Sequence, residues 1–135
     1  MNVIDTSVVL KLLFREPDSE IAVHLLEIER EFYAPEYLRI EFLSNVTKKI
    51  RTGVISLEEG RKRMSNFNQF NFHYDRFENI EHLAFELSAQ YPITFFDSLF
   101  VSVAFEHDVK LYTFDKRLKR SVNGTDLAGY VVVPE

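Results

Sequence analysis

The sequence predicts an α/β domain built on a mainly parallel central sheet with helices over both faces. Three observations carry that prediction. Short apolar runs rich in β-branched and aromatic residues alternate with stretches of helical periodicity along the whole chain. The runs are apolar throughout instead of alternating with polar residues, as strands buried on both faces require. No linker, low-complexity tract or internal repeat interrupts the 135 residues, so residues 1–135 read as one domain.

Each element has a local reason. Val3-Ile4 is a short buried strand ending at Asp5, and a helix follows from about Ser7 to Phe14. Pro17 cannot continue a helix, so Arg15-Glu-Pro-Asp18 breaks it. Asp18 or Ser19 caps a second helix whose apolar positions Ile21, Leu25 and Ile28 recur at helical spacing. Phe32-Tyr-Ala34 is a second strand. Pro35 then suits the first turn of a third helix, which runs to about Arg51 and is stopped by Gly53. Ser56-Leu-Glu-Glu59 has capping-box spacing and opens a helix toward Phe70. Asn71 to Tyr74 forms a third strand, and a helix from about Phe77 to Gln90 is closed by Tyr91-Pro92. Thr94-Phe-Phe-Asp97 starts a helix reaching Glu106, Leu111 to Phe114 is a strand, and Lys116 to Arg120 is a short basic helix. Tyr130 to Val133 is the last strand.

Composition narrows the chemistry. With no cysteine there is no disulfide, thiolate metal site or thiol nucleophile. No apolar run approaches a membrane span and no signal-like segment opens the chain, so a cytoplasmic protein with no membrane attachment is expected. The net charge of −5 opposes unaided nucleic-acid binding. Basic residues nevertheless cluster at Lys48, Lys49 and Arg51, at Arg61 to Arg63, and at Lys116 to Arg120. His24, His73, His82 and His107 show no metal-ligand spacing, and neither a phosphate-cradling glycine loop nor a Gly-x-Ser-x-Gly elbow is present. The phenylalanines Phe67, Phe70, Phe72 and Phe77 are expected in the core, with a groove for a partner helix as the alternative use.

Four acids remain. Asp5 and Asp115 each follow a strand directly, at the carboxyl edge where α/β sheets bind ligands. Glu41 falls at the margin of the apolar arc of the third helix, near Asn45. Asp97 is three residues after the Thr94 cap. Each has an ordinary local explanation: helix caps for Asp5 and Asp115, a helix-dipole contact for Asp97, a solvated edge for Glu41. Their number at one sheet edge is what demands compensation, because clustered carboxylates repel unless protons or a cation intervene. An oxygen-only ligand set without His or Cys selects Mg²⁺ or Mn²⁺ over Zn²⁺.

These residues also carry a resemblance. Val3-Ile-Asp-Thr-Ser-Val-Val-Leu-Lys-Leu-Leu13 with Glu16-Pro-Asp-Ser19 resembles the opening of a PIN domain of the VapC toxin type. Ala34-Pro-Glu-Tyr-Leu-Arg-Ile-Glu-Phe-Leu-Ser-Asn-Val46, Phe96-Asp-Ser-Leu-Phe-Val-Ser-Val-Ala104 and Leu111-Tyr-Thr-Phe-Asp-Lys-Arg-Leu118 resemble its later signatures, in the same order. The resemblance implies a three-layer α/β/α fold and a Mg²⁺- or Mn²⁺-dependent endoribonuclease, the toxin of a toxin–antitoxin pair. It implies metal-holding and catalytic roles for Asp5, Glu41, Asp97 and Asp115, and a supporting role for the hydroxyls of Thr6 and Thr113. Helical geometry adds Asn45 as a neighbour of Glu41. RNA as substrate, a cognate antitoxin and a homodimer are the implied partners. Asp108 stands where the family often has glycine, and no second acid follows Asp115 closely.

Two other readings compete. One is a PIN-like module that binds metal or RNA without turnover. The other is a phosphotransfer enzyme with Asp5 as nucleophile, which Ser7 disfavours because a second aspartate is expected there.

Overall fold

Val3 and Ile4 are both fully buried. Successive strand residues face opposite sides, so helices must cover both faces of this strand. The computed structural model describes residues 1–135 and shows how. The strands are β1 (Asn2–Ile4), β2 (Glu31–Pro35), β3 (Asn71–Asp75), β4 (Leu111–Tyr112) and β5 (Val131–Val132). They form one all-parallel sheet in the order β3-β2-β1-β4-β5. Between them run α1 (Thr6–Leu13), α2 (Ser19–Ile28), α3 (Tyr37–Arg51), α4 (Leu57–Phe67), α5 (Phe77–Gln90), α6 (Phe95–His107) and α7 (Lys116–Val122). The result is the expected three-layer α/β/α arrangement. Helices α1 to α4 pack on one another, while α6 pairs with α5 and lies along β1, β2 and β4.

The chain moves outward from β1 to β2 and β3, then returns to the other side of β1 with β4 and β5. The order therefore reverses between β1 and β4, and a crevice opens at such a point beyond the strand ends. Register aligns Val3 with Leu111 and Ile4 with Tyr112. The next residues, Asp5 and Thr113, consequently leave the sheet side by side.

Helix α6 holds this edge in place from beneath. Every residue from Ser98 to Ala104 is buried, and the Ser98 hydroxyl donates to the Ala84 carbonyl of α5 at 2.9 Å. Its Thr94 cap is present, accepting from the Asp97 amide at 3.0 Å. Its other end turns through Asp108 at φ 52°, the left-handed conformation that suits the glycine often found there in the family and that aspartate tolerates. Ser56 likewise caps α4 by accepting from the Glu59 amide at 3.1 Å. Gly60 lets α4 lie close on α3, since a Cβ there would stand 2.6 Å from Ile50 Cδ1.

Several local expectations need correction. Pro35 closes β2 instead of opening α3, and at a strand end its missing N–H costs little of the ladder. Strand β4 stops at Tyr112: the Thr113 amide still donates to the Val132 carbonyl at 3.0 Å, but its hydroxyl meets Asp5, and the Phe114 amide turns to Ser7. Ile28 is 83% exposed at the last position of α2, beyond the reach of the core. Phe77 is 43% exposed at the first position of α5, where its amide donates to Glu36 Oε1 at 2.6 Å. Phe70 is only partly buried, in an open cleft with Leu13 and Leu26, whereas Phe67 is buried and stacks on Phe42.

Candidate active site

Asp5 is the one buried charged residue, and its surroundings are specific. As the N-cap of α1, its Oδ1 accepts from the amides of Ser7 at 3.0 Å and Val8 at 3.3 Å, and from the Ser7 hydroxyl. Its Oδ2 accepts from the hydroxyl of Thr113, 108 residues away. Thr113 Oγ1 in turn accepts from the Asp115 amide at 3.0 Å. Asp115 caps α7, accepting from the amides of Arg117 at 3.0 Å and Leu118 at 3.1 Å. The ends of β1 and β4 are thus stitched together by one hydroxyl. Ser7 adds a second stitch, because its Oγ accepts from the Phe114 amide at 2.9 Å.

The other two acids arrive from α3 and α6. Glu41 is half-buried and accepts from the Tyr37 hydroxyl at 3.3 Å, one helical turn earlier. The Tyr37 ring stacks on Phe96, the residue before Asp97, at 5.2 Å between centroids. Asn45 directs its amide to the backbone carbonyl of Glu41 at 2.9 Å, so it braces the helix and not the Glu41 carboxylate. Thr6 is buried, and its hydroxyl has no partner.

Electrostatics ties the four carboxylates together. Burial, with the Glu41 charge adding to it, pushes Asp5 up to about 6 against the hydrogen bonds from Ser7, Thr113 and Val8. Asp97 is raised by burial and by the charges of Asp115 and Glu41, with the Thr94 hydrogen bond and Arg117 opposing. Tyr37 is pushed up to about 12 by burial and then by Glu41 and Asp97. The Glu41 charge acts on both Asp5 and Asp97, and the Asp115 charge acts on Asp97. The side chains do not form a finished cage, since no three acidic or imidazole groups stand close enough to grip an ion. What they offer is an all-oxygen, anionic and partly desolvated donor set, which fits a hard divalent cation.

A three-layer fold with its strand order reversed between β1 and β4 agrees with the comparisons. The PIN domain family model matches residues 3–122. The chain belongs to the PIN domain family. Among solved structures, this PIN domain is similar to a toxin–antitoxin complex from Klebsiella pneumoniae, with 18% identity and a TM-score of 0.71 over 100% of this chain and 98% of that one. It is similar to VapC20 from Mycobacterium tuberculosis, described as a sarcin–ricin loop cleaving toxin, with 14% identity, a TM-score of 0.72 and full coverage of both chains. VapBC2 from Rickettsia felis, bound to a promoter DNA fragment, follows with 17% identity and a TM-score of 0.64 over 99% and 98% of the two chains. At these identities the likeness is one of fold. No curated protein matches the sequence. Nucleases of the PIN family generally work with divalent metal ions. No helix is long and apolar enough to cross a membrane.

Ser7, Tyr37 and Arg117 were not among the expected site residues. Tyr37 precedes Glu41 by four residues, a spacing that places them on one helix face and was legible. Ser7 and Arg117 depend on where β4 lies beside β1, which no local pattern encodes.

Proposed function

We propose that this PIN domain, residues 1–135, is a Mg²⁺- or Mn²⁺-dependent endoribonuclease, the toxin of a toxin–antitoxin pair. Asp5, Glu41, Asp97 and Asp115 would hold the metal. The observation that carries this reading is the buried Asp5 carboxylate joined through Thr113 to Asp115, with the Glu41 charge acting on Asp5 and Asp97 and the Asp115 charge acting on Asp97. Such coupling is costly to maintain, and a divalent cation relieves it.

A bound divalent cation supplies Lewis acidity toward a phosphate oxygen and lowers the pKa of an attacking water. The chain's own groups prepare the place. Thr113 and Ser7 fix the Asp5 carboxylate in one orientation, with Thr113 as the only donor to Oδ2. Tyr37 steadies Glu41 by the hydroxyl contact, and Thr94 fixes the first turn of α6, from which Asp97 projects. RNA is the substrate on this reading, held through its phosphates. The structures of similar fold come from toxin–antitoxin systems, which supports an antitoxin as the partner here. Exposed apolar side chains at Ile40, Phe77, Phe85 and Phe96 support a homodimer.

The test is cleavage of a labelled RNA by purified protein with Mg²⁺, with Mn²⁺ and with chelator, beside Asp5→Asn. Asparagine keeps the cap acceptor and removes the charge, so folding is retained. Supporting outer-sphere groups of metal sites are worth about 10–100-fold, so loss of a ligand should exceed about 100-fold. Full metal-dependent activity in Asp5→Asn would remove the proposed site. Metal or RNA binding without any cleavage would identify a binding module instead.

A further inference from the structure

Beside Asp97 lies a cavity of about 250 Å³ that the four acids do not fill. Pro92, Ile93 and Leu118 form its apolar wall, while Thr94, Asp97, Arg117 and Ser121 supply its polar groups. Arg117 stands on the exposed face of α7, two residues after Asp115, and its guanidinium makes neither a hydrogen bond nor an ion pair. Lys116 and Arg120 of the same helix are also exposed and unpaired but do not line this cavity, and other nearby cations are committed. Lys119 donates to the carbonyls of Ala128 at 2.9 Å and Val131 at 2.7 Å. Lys11 and Lys49 flank Glu16 at 3.7 and 3.8 Å.

A free guanidinium sharing a cavity with one of four acids is an unusual placement in this molecule. Its charge acts on Asp97, yet the two form no closed pair that would cancel both charges. Five donors in a planar fork match the oxygens of a phosphodiester. The Thr94 hydroxyl accepts from the Asp97 amide, so its own proton is free to donate into the cavity. The Ser121 hydroxyl spends its proton on the Arg117 carbonyl at 2.9 Å, which leaves its oxygen to accept from a sugar hydroxyl or a base. The volume falls just below the roughly 300–1,000 Å³ of ordinary small-molecule pockets. It suits one unit of a longer chain that passes across it.

We propose that this cavity seats the nucleotide next to the scissile bond, with Arg117 anchoring its phosphate and Thr94 and Ser121 contacting the sugar or base. The inference rests on the ribonuclease reading and adds to it a defined subsite on the α7 side of Asp97. Arg117 acts here by holding substrate and leaves bond cleavage to the acids.

The test compares Arg117→Ala, Arg117→Lys and Lys62→Ala, all at exposed positions, with Lys62 on α4 as the charge-matched control. Cleavage of a short single-stranded RNA is followed under Mg²⁺ or Mn²⁺. Binding of the same RNA is followed by fluorescence anisotropy from low to moderate salt, in chelator. Loss of a charged hydrogen-bonding partner should lower kcat/KM by roughly 10- to 100-fold, mainly through KM. The slope of log affinity against log salt should fall by about 0.7, the value for one contact to a single strand. Arg117→Lys should keep the slope and recover part of the affinity, and Lys62→Ala should match the parent in both. Unchanged kinetics and slope in Arg117→Ala would overturn the proposal, as would an equal slope change in Lys62→Ala. If the parent protein cleaves no RNA under any metal, the ribonuclease reading fails. The anisotropy slopes then decide on Arg117 by themselves.

Discussion

Glu16 and Asp5 are carboxylates near the two ends of α1, and they are treated in opposite ways. Glu16 lies between Lys11 and Lys49, whose alkyl and ammonium groups also cover Phe114 and Phe14 with 5.1 and 5.0 Å from nitrogen to ring centroid. Its charge is matched where it stands. Asp5 has hydrogen-bond donors but no cation, and Glu41 adds a second negative charge to its surroundings. The first arrangement holds α1 to α3. The second spends stability to keep a negative volume open at the β1–β4 crevice. Within one small domain, paired charge marks the scaffold and unpaired charge marks the site.

Three measurements would break or sharpen that contrast. The largest effect belongs to pH. Because the folded state raises Asp5 from 3.8 to about 6, it holds the proton more tightly than the unfolded chain does. The stabilisation is therefore complete below pH 3.8 and is lost as pH rises through about 6, to a total of about 3 kcal/mol. Urea unfolding in chelator should show Asp5→Asn gaining on the parent across that window. If the two proteins follow one pH curve, Asp5 is not the strained group.

Thr113→Val ranks next. It removes the donor to Asp5 Oδ2 and the acceptor for the Asp115 amide. A hydrogen bond to a charged group is worth about 1.5–3 kcal/mol, so stability above pH 7 should drop by about 2 kcal/mol. Cleavage should fall about 10–100-fold, as when a group that orients a metal ligand is lost. Thermal melts and initial rates would reveal a merely decorative hydroxyl by leaving both unchanged.

Glu16→Gln should do least. Its ion pairs are partly exposed and long, and such pairs contribute at most about 1 kcal/mol. Cleavage should match the parent. A large loss of activity there would mean that the paired and unpaired regions are coupled through α1.

How much of this was legible depended on distance along the chain. Strands ending at Asp5 and near Asp115 and the Thr94 cap follow from neighbours within a few residues, and the turn at Asp108 from the resemblance. The half-buried setting of Glu41 on α3 followed from helical phase. The pairing of Val3 with Leu111 did not, since it is set by the order in which strands enter the sheet. Everything that hangs on that pairing, including the Thr113–Asp5 bond, the Ser7–Phe114 bond and the place of Arg117, stayed hidden with it. The exposed Phe77 escaped for a related reason: its composition suggests core, but its position at the outer end of α5 decides otherwise.

Lys119 gives the site an unexpected dependence. Its ammonium reaches two carbonyls, those of Ala128 and Val131, and so ties α7 to β5. Asp115 and Arg117 ride on that same short helix. The edge strand β5 therefore works as a guy-rope for the α7 side of the proposed site. Slack introduced at Val131 and Val132 would travel through one lysine to both an acid and a substrate anchor, though neither strand residue lies in the pocket.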